Sequence, residues 1–543
     1  MHQPPAPALA PPLAVTGSAQ AWPLHDSART RAWEAHALAQ QAPTGALAGP
    51  SRALGPAEPP ALPSPSALMQ AAGQATARLA LALAPHAPLF QVHVGPGNNG
   101  GDGWVAATAL HQHGRRVQVV DCSEGRTPPE DAGRARAWAL RLGVPCTSEW
   151  DAPTQRPPGS LVVDALLGLG AQVRHGGRLQ RAIGDVRQAA DEGHTVLAVD
   201  LPTGLHPDTG QATSGLAVQA HHTLSLLTLK PGLFTGQGRD HAGQVWLHPL
   251  GSRDPGEASG TLNGRPAPAP RRHAQHKGSF GDVAVLGGAA GMGGALVLAA
   301  RAALCGGAGR VFAWSLAPQA EGADPAWPEL MHRQTTDSFR PGAATVVAGC
   351  GGGSAVADHL PALLSSAHRL VLDADALNAI ASSPALQQAL AQRPGPTVLT
   401  PHPLEAARLL GCDTAAVQAD RIAAAQALAA RHRCVVLLKG SGTVLAHPGG
   451  RWCINPTGNA LLASAGTGDV LAGWLGGLWS ATAAQRDTRD DAQALGFDAA
   501  CAAAWWHGAA ADTAWQRGHR QGWHASDLLQ TLGDVWGRSG PAG

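Results

Sequence analysis

At 543 residues the chain is long enough for two large domains or three ordinary ones, each with a full core. Lysine plus arginine (39) nearly balances aspartate plus glutamate (38), so no global field recruits nucleic acid or an anionic membrane. The 44% apolar content argues against overall disorder, and no uncharged apolar run reaches membrane-spanning length.

Eight cysteines are scattered singly, without zinc-type or disulfide-framework spacing, which fits a reducing compartment. The opening MHQPPAPALAPPL lacks the basic start and apolar core of a signal peptide, so a cytoplasmic protein is expected. There is no tyrosine, and lysine survives only at Lys230, Lys277 and Lys439, each beside glycine (LKPG, HKG, LKG). In a chain that otherwise prefers arginine, either these are chance survivors or a compact ammonium is needed where a planar guanidinium would not serve.

In chain order, residues 1–20 and 41–65 are rich in Ala, Pro and Gly and read as irregular, with an amphipathic helix between them at 25–40. From Ser66, ALMQAAGQATARLALAL reads as a helix whose small residues allow another element to approach closely. Short apolar strands then alternate with helices: LFQVHV (89–94), RVQVV (116–120), SLVVDALLG (160–168) and TVLAVDLPTG (195–204). This grammar implies right-handed crossovers and a mostly parallel sheet. Residues 251–275 have no apolar period and form the best linker candidate. The grammar restarts with GDVAVLGG (281–288), RVFAW (310–314), TVVAGCGGG (345–353), RLVLDADALN (369–378), TVLTPHPLE (397–405) and CVVLLKGSGTVLA (434–446). The expectation is two α/β, doubly wound, Rossmann-like domains, at 20–250 and 273–535, joined by 251–272. Among sixteen tryptophans, Trp505, Trp506, Trp515 and Trp523 are expected to be core.

VGPGNNGGDGW (94–104) follows a strand and opens a helix, where open α/β sheets bind ligands. A GxGxxG-like turn alone is weak evidence; Asn98, Asn99 and Asp102 sharpen it, because amide oxygens and a carboxylate can ligate a cation or bind hydroxyls. Asp164 and Asp200 each end a predicted strand and should project into the same crevice, either paired structurally or poised for proton transfer.

GNNGGDG, VDALLGLG, VDLPTGLHPDTG and LKPGLFTGQGRDHAGQV together resemble the NAD(P)H-hydrate epimerase domain, and Leu68-Met69 with Ala72-Gly73 resembles its leading helix. The resemblance implies a substrate that is a reduced nicotinamide nucleotide hydrated at C6. It implies contacts from Asn98, Asn99, Gly100, Gly101 and Asp102, and from Gly168, Leu169, Gly170, Ala171, Gln172, Val173 and Arg174. Asn99, Asp164 and Thr203 would bind potassium, with threonine where the family commonly has serine. Asp200 would contact substrate. Inverting the hemiaminal carbon needs a positioned acid/base, for which Asp200 is the candidate and Lys230 the lesser partner. His221 and His222 read as packing or surface residues.

ASAGTGDVLAGWLGGL (463–478) leads small residues and glycines into a helix whose first turn carries Asp469. Free amides at a helix N-terminus seat developing phosphate charge, and a carboxylate beside them is suited to taking a proton from an attacking hydroxyl. The plain alternative is a helix cap. Lys439 with glycine amides could hold a diphosphate, and Asp373, Asp375 and Glu405 could place magnesium directly or through water.

HKGSFG, GGAGRVF, DADALN, TPHPLEAARLLG, LLKGSGT and GTGDVLAG resemble the ribokinase-like fold and, within it, the NAD(P)H-hydrate dehydratases. The resemblance implies that Ala295, Gly351 and His402 contact the hydrated nicotinamide. Lys439, Gly440, Ser441, Gly442, Thr443 and Gly468 would hold the nucleotide diphosphate, and Asp469 would touch substrate. GCGGG (349–353) and NALLA (459–463) depart from the family's GPGLG and NPGMA. The implied reaction is phosphorylation of the C6 hydroxyl followed by loss of phosphate, with ADP preferred to ATP and magnesium as cofactor. The implied partners are small molecules and further copies of the chain. The competing reading is a small-molecule kinase of the same fold carrying a non-catalytic N-terminal binding domain.

Overall fold

The computed structural model describes residues 11–40, 64–147, 156–169, 177–251, 256–268, 270–317, 324–334, 342–485 and 492–537. They divide into two compact units, one of residues 22–259 with the N-terminal 18, the other of 260–543 with Ala19–Ala21.

The core of the first unit is a sheet in the order Gln244–His248, His222–Leu226, Thr195–Val199, Leu161–Ala165, Phe90–Val94, Val117–Asp121, Cys146–Thr147, all parallel. Leu13–Ala14 adds an antiparallel edge beside Gln244–His248. Leu161–Ala165 and Phe90–Val94 are buried along their whole length, as strands covered on both faces must be. Chain order reverses between these two strands, so the loops after them open a crevice at their carboxyl ends. Helix Ala67–Leu83 begins at Ser66, whose hydroxyl accepts from the Met69 amide at 3.2 Å. A Cβ placed on Gly73 would stand 2.4 Å from the Cβ of Val105, so the small residues of this helix let Asn98–Gln112 approach.

The second unit repeats the scheme. Its parallel strands run in the order Met331–Gln334, Arg310–Ser315, Asp282–Gly287, Thr345–Ala348, Arg369–Leu372, Thr397–Leu399, Val435–Leu438. Val444–Ala446 and Trp452–Ile454 follow antiparallel. The reversal point lies between Asp282–Gly287 and Thr345–Ala348. Within the stretch read as linker, Gly260–Leu262 pairs parallel with Trp452–Ile454; three residues are too few to display an apolar period.

Trp506 and Trp523 are core and Trp505 is partly buried, whereas Trp515 is 40% exposed with the Arg520 guanidinium 4.1 Å from its ring centroid. The core expectation for Trp515 is therefore corrected: a cation over the face stabilises an indole left in water.

Helix Thr467–Ala483, which carries Asp469, lies against helix Gly293–Cys305 through glycine. A Cβ on Gly473 would fall 1.9 Å from the Ala299 carbonyl oxygen, and one on Gly477 would fall 2.2 Å from that of Ala303. Gly473→Ala is expected to destabilise this unit by about 1–3 kcal/mol, because backbone atoms cannot yield as a side chain can. Gly533→Ala, in a helix with open space around it, should be neutral or stabilising. Urea unfolding of the two variants checks this.

Candidate active sites

In the first unit a cavity of about 480 Å³ lies over the sheet reversal, lined by Asn98, Asn99, Asp102, Gly168, Leu169, Asp200 and Lys230, among others. Gly100 and Gly101 do not line it. A Cβ on Gly100 would sit 2.0 Å from the Gly95 carbonyl oxygen and one on Gly101 would sit 2.6 Å from Met69 Cε, so these glycines close the turn. Gly170, Ala171, Gln172, Val173 and Arg174 lie outside the described residues.

Asp200 faces this cavity with its backbone in the left-handed region, at φ 66°. Such a conformation costs a non-glycine residue about 1–3 kcal/mol and persists only where the surroundings impose it. Here the Asp200 amide donates to the Leu224 carbonyl at 2.7 Å, and Lys230 clamps the carboxylate. The lysine is fully buried, and its ammonium donates to Asp200 Oδ1 and to the Leu226 carbonyl at 2.8 Å, while Asp200 also accepts from the Leu226 amide at 3.1 Å. Of the two readings left open for Asp200, the structure shows the paired one in a cavity-facing position.

Asp164, expected to open into the same crevice, is fully buried beneath it. Its carboxylate accepts from Thr203 N at 2.8 Å, Thr203 Oγ1 at 2.7 Å and Leu166 N at 3.2 Å. Burial raises its pKa to about 6 against these bonds. Among the described residues no basic side chain pairs with it. Asn99 is also buried, and among the described residues neither polar atom of its side-chain amide has a hydrogen-bond partner. An orphaned amide and an uncompensated buried carboxylate near a threonine hydroxyl form an oxygen-rich set that fits a monovalent cation.

Besides Asp164, two acids that line the cavity carry raised pKa values. Burial, then the charge of Asp200, pushes Asp102 well above the usual carboxylate range and shifts Glu34 upward. Glu34 comes from helix Ser27–Gln40 and lines the cavity. Sequence reasoning missed it, since one glutamate on an amphipathic helix carries no signal of where that helix docks.

In the second unit the same chemistry recurs at the end of Arg369–Leu372. Asp373, 1% exposed, accepts from Lys439 Nζ at 2.7 Å and Thr400 Oγ1 at 2.8 Å, and Ala374 after it has φ 49°. Of the three lysines, Lys230 and Lys439 thus pair with strand-end aspartates, while Lys277 is exposed.

The three carboxylates expected to place magnesium directly or through water do not form a direct ligand set, although Lys439 Nζ lies 2.7 Å from Asp373 and 3.9 Å from Glu405. Glu405 accepts from the His402 amide at 2.8 Å, and Asp375 accepts from the Gly353 amide at 2.8 Å. Among the described residues, the donor atoms that do lie within 4.8 Å of one another belong to Cys350, Asp373 and Asp469. Cys350 is the second residue of the departing GCGGG loop; buried beside Asp469, its thiol is pushed well above its ordinary pKa, so it stands as a neutral donor.

Asp469 does not cap its helix. The cap is Gly466, at φ 87°, and Asp469 stands in the first turn. Its pKa is raised to about 6, first by burial and next by the charge of Asp373. A Cβ on Gly468 would stand 3.3 Å from Lys439 Nζ, so the glycine leaves the helix amides open beside the ammonium. Gly351 and Ala295 meet: a Cβ on the former would lie 2.8 Å from that of the latter.

His402 caps helix Pro403–Leu410, its Nδ1 accepting from Leu404 N at 3.1 Å, while its Nε2 lies 3.3 Å from the Glu405 carboxylate. The turn of Lys439, Gly440, Ser441, Gly442 and Thr443 joins strands Val435–Leu438 and Val444–Ala446. Buried Arg421, which the sequence did not single out, braces it by donating to the carbonyls of Leu438 at 3.2 Å and Lys439 at 3.1 Å.

Lys230→Met leaves the Asp200 carboxylate without its cation, and the first unit should lose about 3–5 kcal/mol. Adding Asp200→Asn should recover most of that loss. Urea unfolding of both variants provides the readout.

Residues 283–533 match the NAD(P)H-hydrate dehydratase family model, and residues 65–232 match that of the YjeF-related protein N-terminus. The chain is 36% identical over 485 residues to the bifunctional NAD(P)H-hydrate repair enzyme of Escherichia coli (strain K12), covering 86% of this chain and 88% of that one. It is 35% identical over 526 residues to the bifunctional NAD(P)H-hydrate repair enzyme of Leishmania major, covering 88% and 90%. An ADP/ATP-dependent NAD(P)H-hydrate dehydratase from Bacillus subtilis, co-crystallized with ATP/Mg2+, is 28% identical with a TM-score of 0.41, covering 50% of this chain and 95% of that one. On the two relatives that it matches over most of their length, the chain belongs to the family of bifunctional NAD(P)H-hydrate repair enzymes.

Proposed function

We propose that the first unit interconverts the R and S epimers of hydrated NADH or NADPH, and that the second dehydrates the S epimer at the expense of a nucleotide, ADP in preference to ATP. The observation that carries the reading is Asp469, in the first turn of a glycine-led helix beside the Asp373–Lys439 pair.

In the second unit, Asp469 takes the proton of the C6 hydroxyl as that oxygen attacks the terminal phosphoryl group. The open amides around Gly468 receive the transferring group's charge. The ring nitrogen's lone pair then expels phosphate, and loss of the C5 proton restores the dihydropyridine. Lys439 through Thr443 hold the diphosphate, with Arg421 keeping their turn in shape. Ala295, Gly351 and His402 bound the nicotinamide. Magnesium on the nucleotide would neutralise phosphate charge, reached through water from Asp373 and Asp469.

In the first unit, Asp200 handles the proton of the water that leaves one face of C6 and adds to the other. Asp102 and Glu34, whose pKa values are raised, hold protons for the departing hydroxide. Asn99, Asp164 and Thr203 would bind potassium, whose charge supplies a fixed counterpart to the hydroxyl oxygen. Asn98, Asn99, Asp102, Gly168 and Leu169 bound the substrate.

The test is recovery of nicotinamide absorbance from mixed R and S hydrates of NADH supplied with ADP and magnesium. Full recovery is expected. Recovery halting after the S epimer would remove the epimerase assignment, and phosphorylation of an unrelated alcohol instead would favour the kinase reading. Asp469→Asn should lower dehydration about a thousandfold with nucleotide binding retained. Because Asp469 must be ionised to act, dehydration should rise with pH through about 6, and Asp373→Asn should move that limb to lower pH by removing a like charge. Replacing potassium with tetramethylammonium should slow consumption of the R epimer and leave the S epimer untouched, as should Asp200→Asn.

A further inference from the structure

A second cavity in the first unit, of about 450 Å³, is used by none of this chemistry. It lies on the other side of the glycine turn from the catalytic cavity. Gly95 and Gly101 line it, whereas Asn98, Asn99 and Asp102 of the same turn line the first cavity. Its floor is the end of the strand Val117–Asp121, where Asp121 pairs in register with Val94, the residue before Gly95. Three guanidinium-bearing residues surround it, Arg126, Arg136 and Arg178, against two acids, Asp121 and Glu124.

The acids are already engaged. Asp121 accepts from Ser123 N at 3.0 Å and from Arg136 Nε at 3.1 Å, and Glu124 accepts from the Arg178 amide. Arg136 therefore spends Nε on Asp121, while its side chain, 48% exposed, lines the cavity. Arg126 stands 3.7 Å from Glu124 with 63% of its side chain exposed.

In a sheet with this strand order a dinucleotide lies across the reversal point. Its pyrophosphate sits on the first glycine turn, and its far ribose lies beside the end of the second strand. A ribose diol would need a free carboxylate there; a ribose phosphate needs guanidinium donors, ideally two nitrogens presented together. With the carboxylates occupied and guanidinium in excess, we infer that this cavity binds the 2′-phosphoadenosine end of the substrate, making Arg136, supported by Arg126, the residue that selects hydrated NADPH over hydrated NADH. The inference rests on the epimerase reading of the neighbouring cavity.

The test measures epimerisation by chromatographic separation of the R and S forms, without added nucleotide so that dehydration is silent. Losing one charge-assisted phosphate contact should raise KM for hydrated NADPH about tenfold in Arg136→Gln, with kcat unchanged. KM for hydrated NADH should shift less than about twofold. Arg126→Ala, which leaves the Asp121–Arg136 bond intact, should act in the same direction more weakly, and it serves as the readout if the first variant does not fold. KM values that stay put, or that rise equally for both substrates, would overturn the selectivity. A wild-type protein that interconverts neither hydrate would instead overturn the epimerase reading itself.

Discussion

A lysine ammonium lying against the carboxylate at the end of a parallel strand organises the site in each unit. Lys230 holds Asp200 and Lys439 holds Asp373, and in each case a non-glycine residue of positive φ stands at the junction, Asp200 itself or Ala374. The pair stabilises a charge the fold has taken out of water, and it stands beside a backbone turn of positive φ. Arginine could supply the charge, but its planar fork is bulkier than the single point these turns accommodate. That accounts for two lysines in a chain that elsewhere prefers arginine.

Around these pairs the protein manages acidity by distance and burial. In the second unit Asp373 has its own cation, so its charge falls on Asp469 as a repulsion and adds to the burial that lifts the latter toward neutrality. A carboxylate tuned in this way is ionised at neutral pH yet basic enough to accept a proton. In the first unit the charge of Asp200 similarly contributes to the raised pKa values of Asp102 and Glu34. Each site thus contains one clamped carboxylate and others poised around it.

Close approach is the second requirement. Helix Thr467–Ala483 sits against its neighbour through Gly473 and Gly477, and the turn before Asn98–Gln112 closes on Gly95 because Gly100 has no side chain. Glycine at these positions serves the scaffold, whereas Gly468 leaves the helix amides open next to Lys439. The motifs therefore mix residues that face a ligand with residues that make the ligand's seat possible, and pattern alone does not separate them.

What the sequence determined by itself is the alternation of short apolar strands with helices, the two glycine turns that follow strands, and the family motifs. Each of these is carried by neighbours along the chain. Asp200, Asp373, Asp469, Lys230 and Lys439 were legible for the same reason, as single charged residues inside local patterns. Which partners they take was not. The meeting of Asp373 with Lys439 joins two strand ends 66 positions apart, Glu34 arrives on a helix with no motif, and Arg421 braces a turn from a separate helix. The expected magnesium trio of Asp373, Asp375 and Glu405 separated because helix capping and loop hydrogen bonds claimed two of its members. Only the tertiary structure decides such competition, since a carboxylate bonds to whichever donor the packed backbone presents, whether three positions away, as the His402 amide is from Glu405, or 22, as the Gly353 amide is from Asp375.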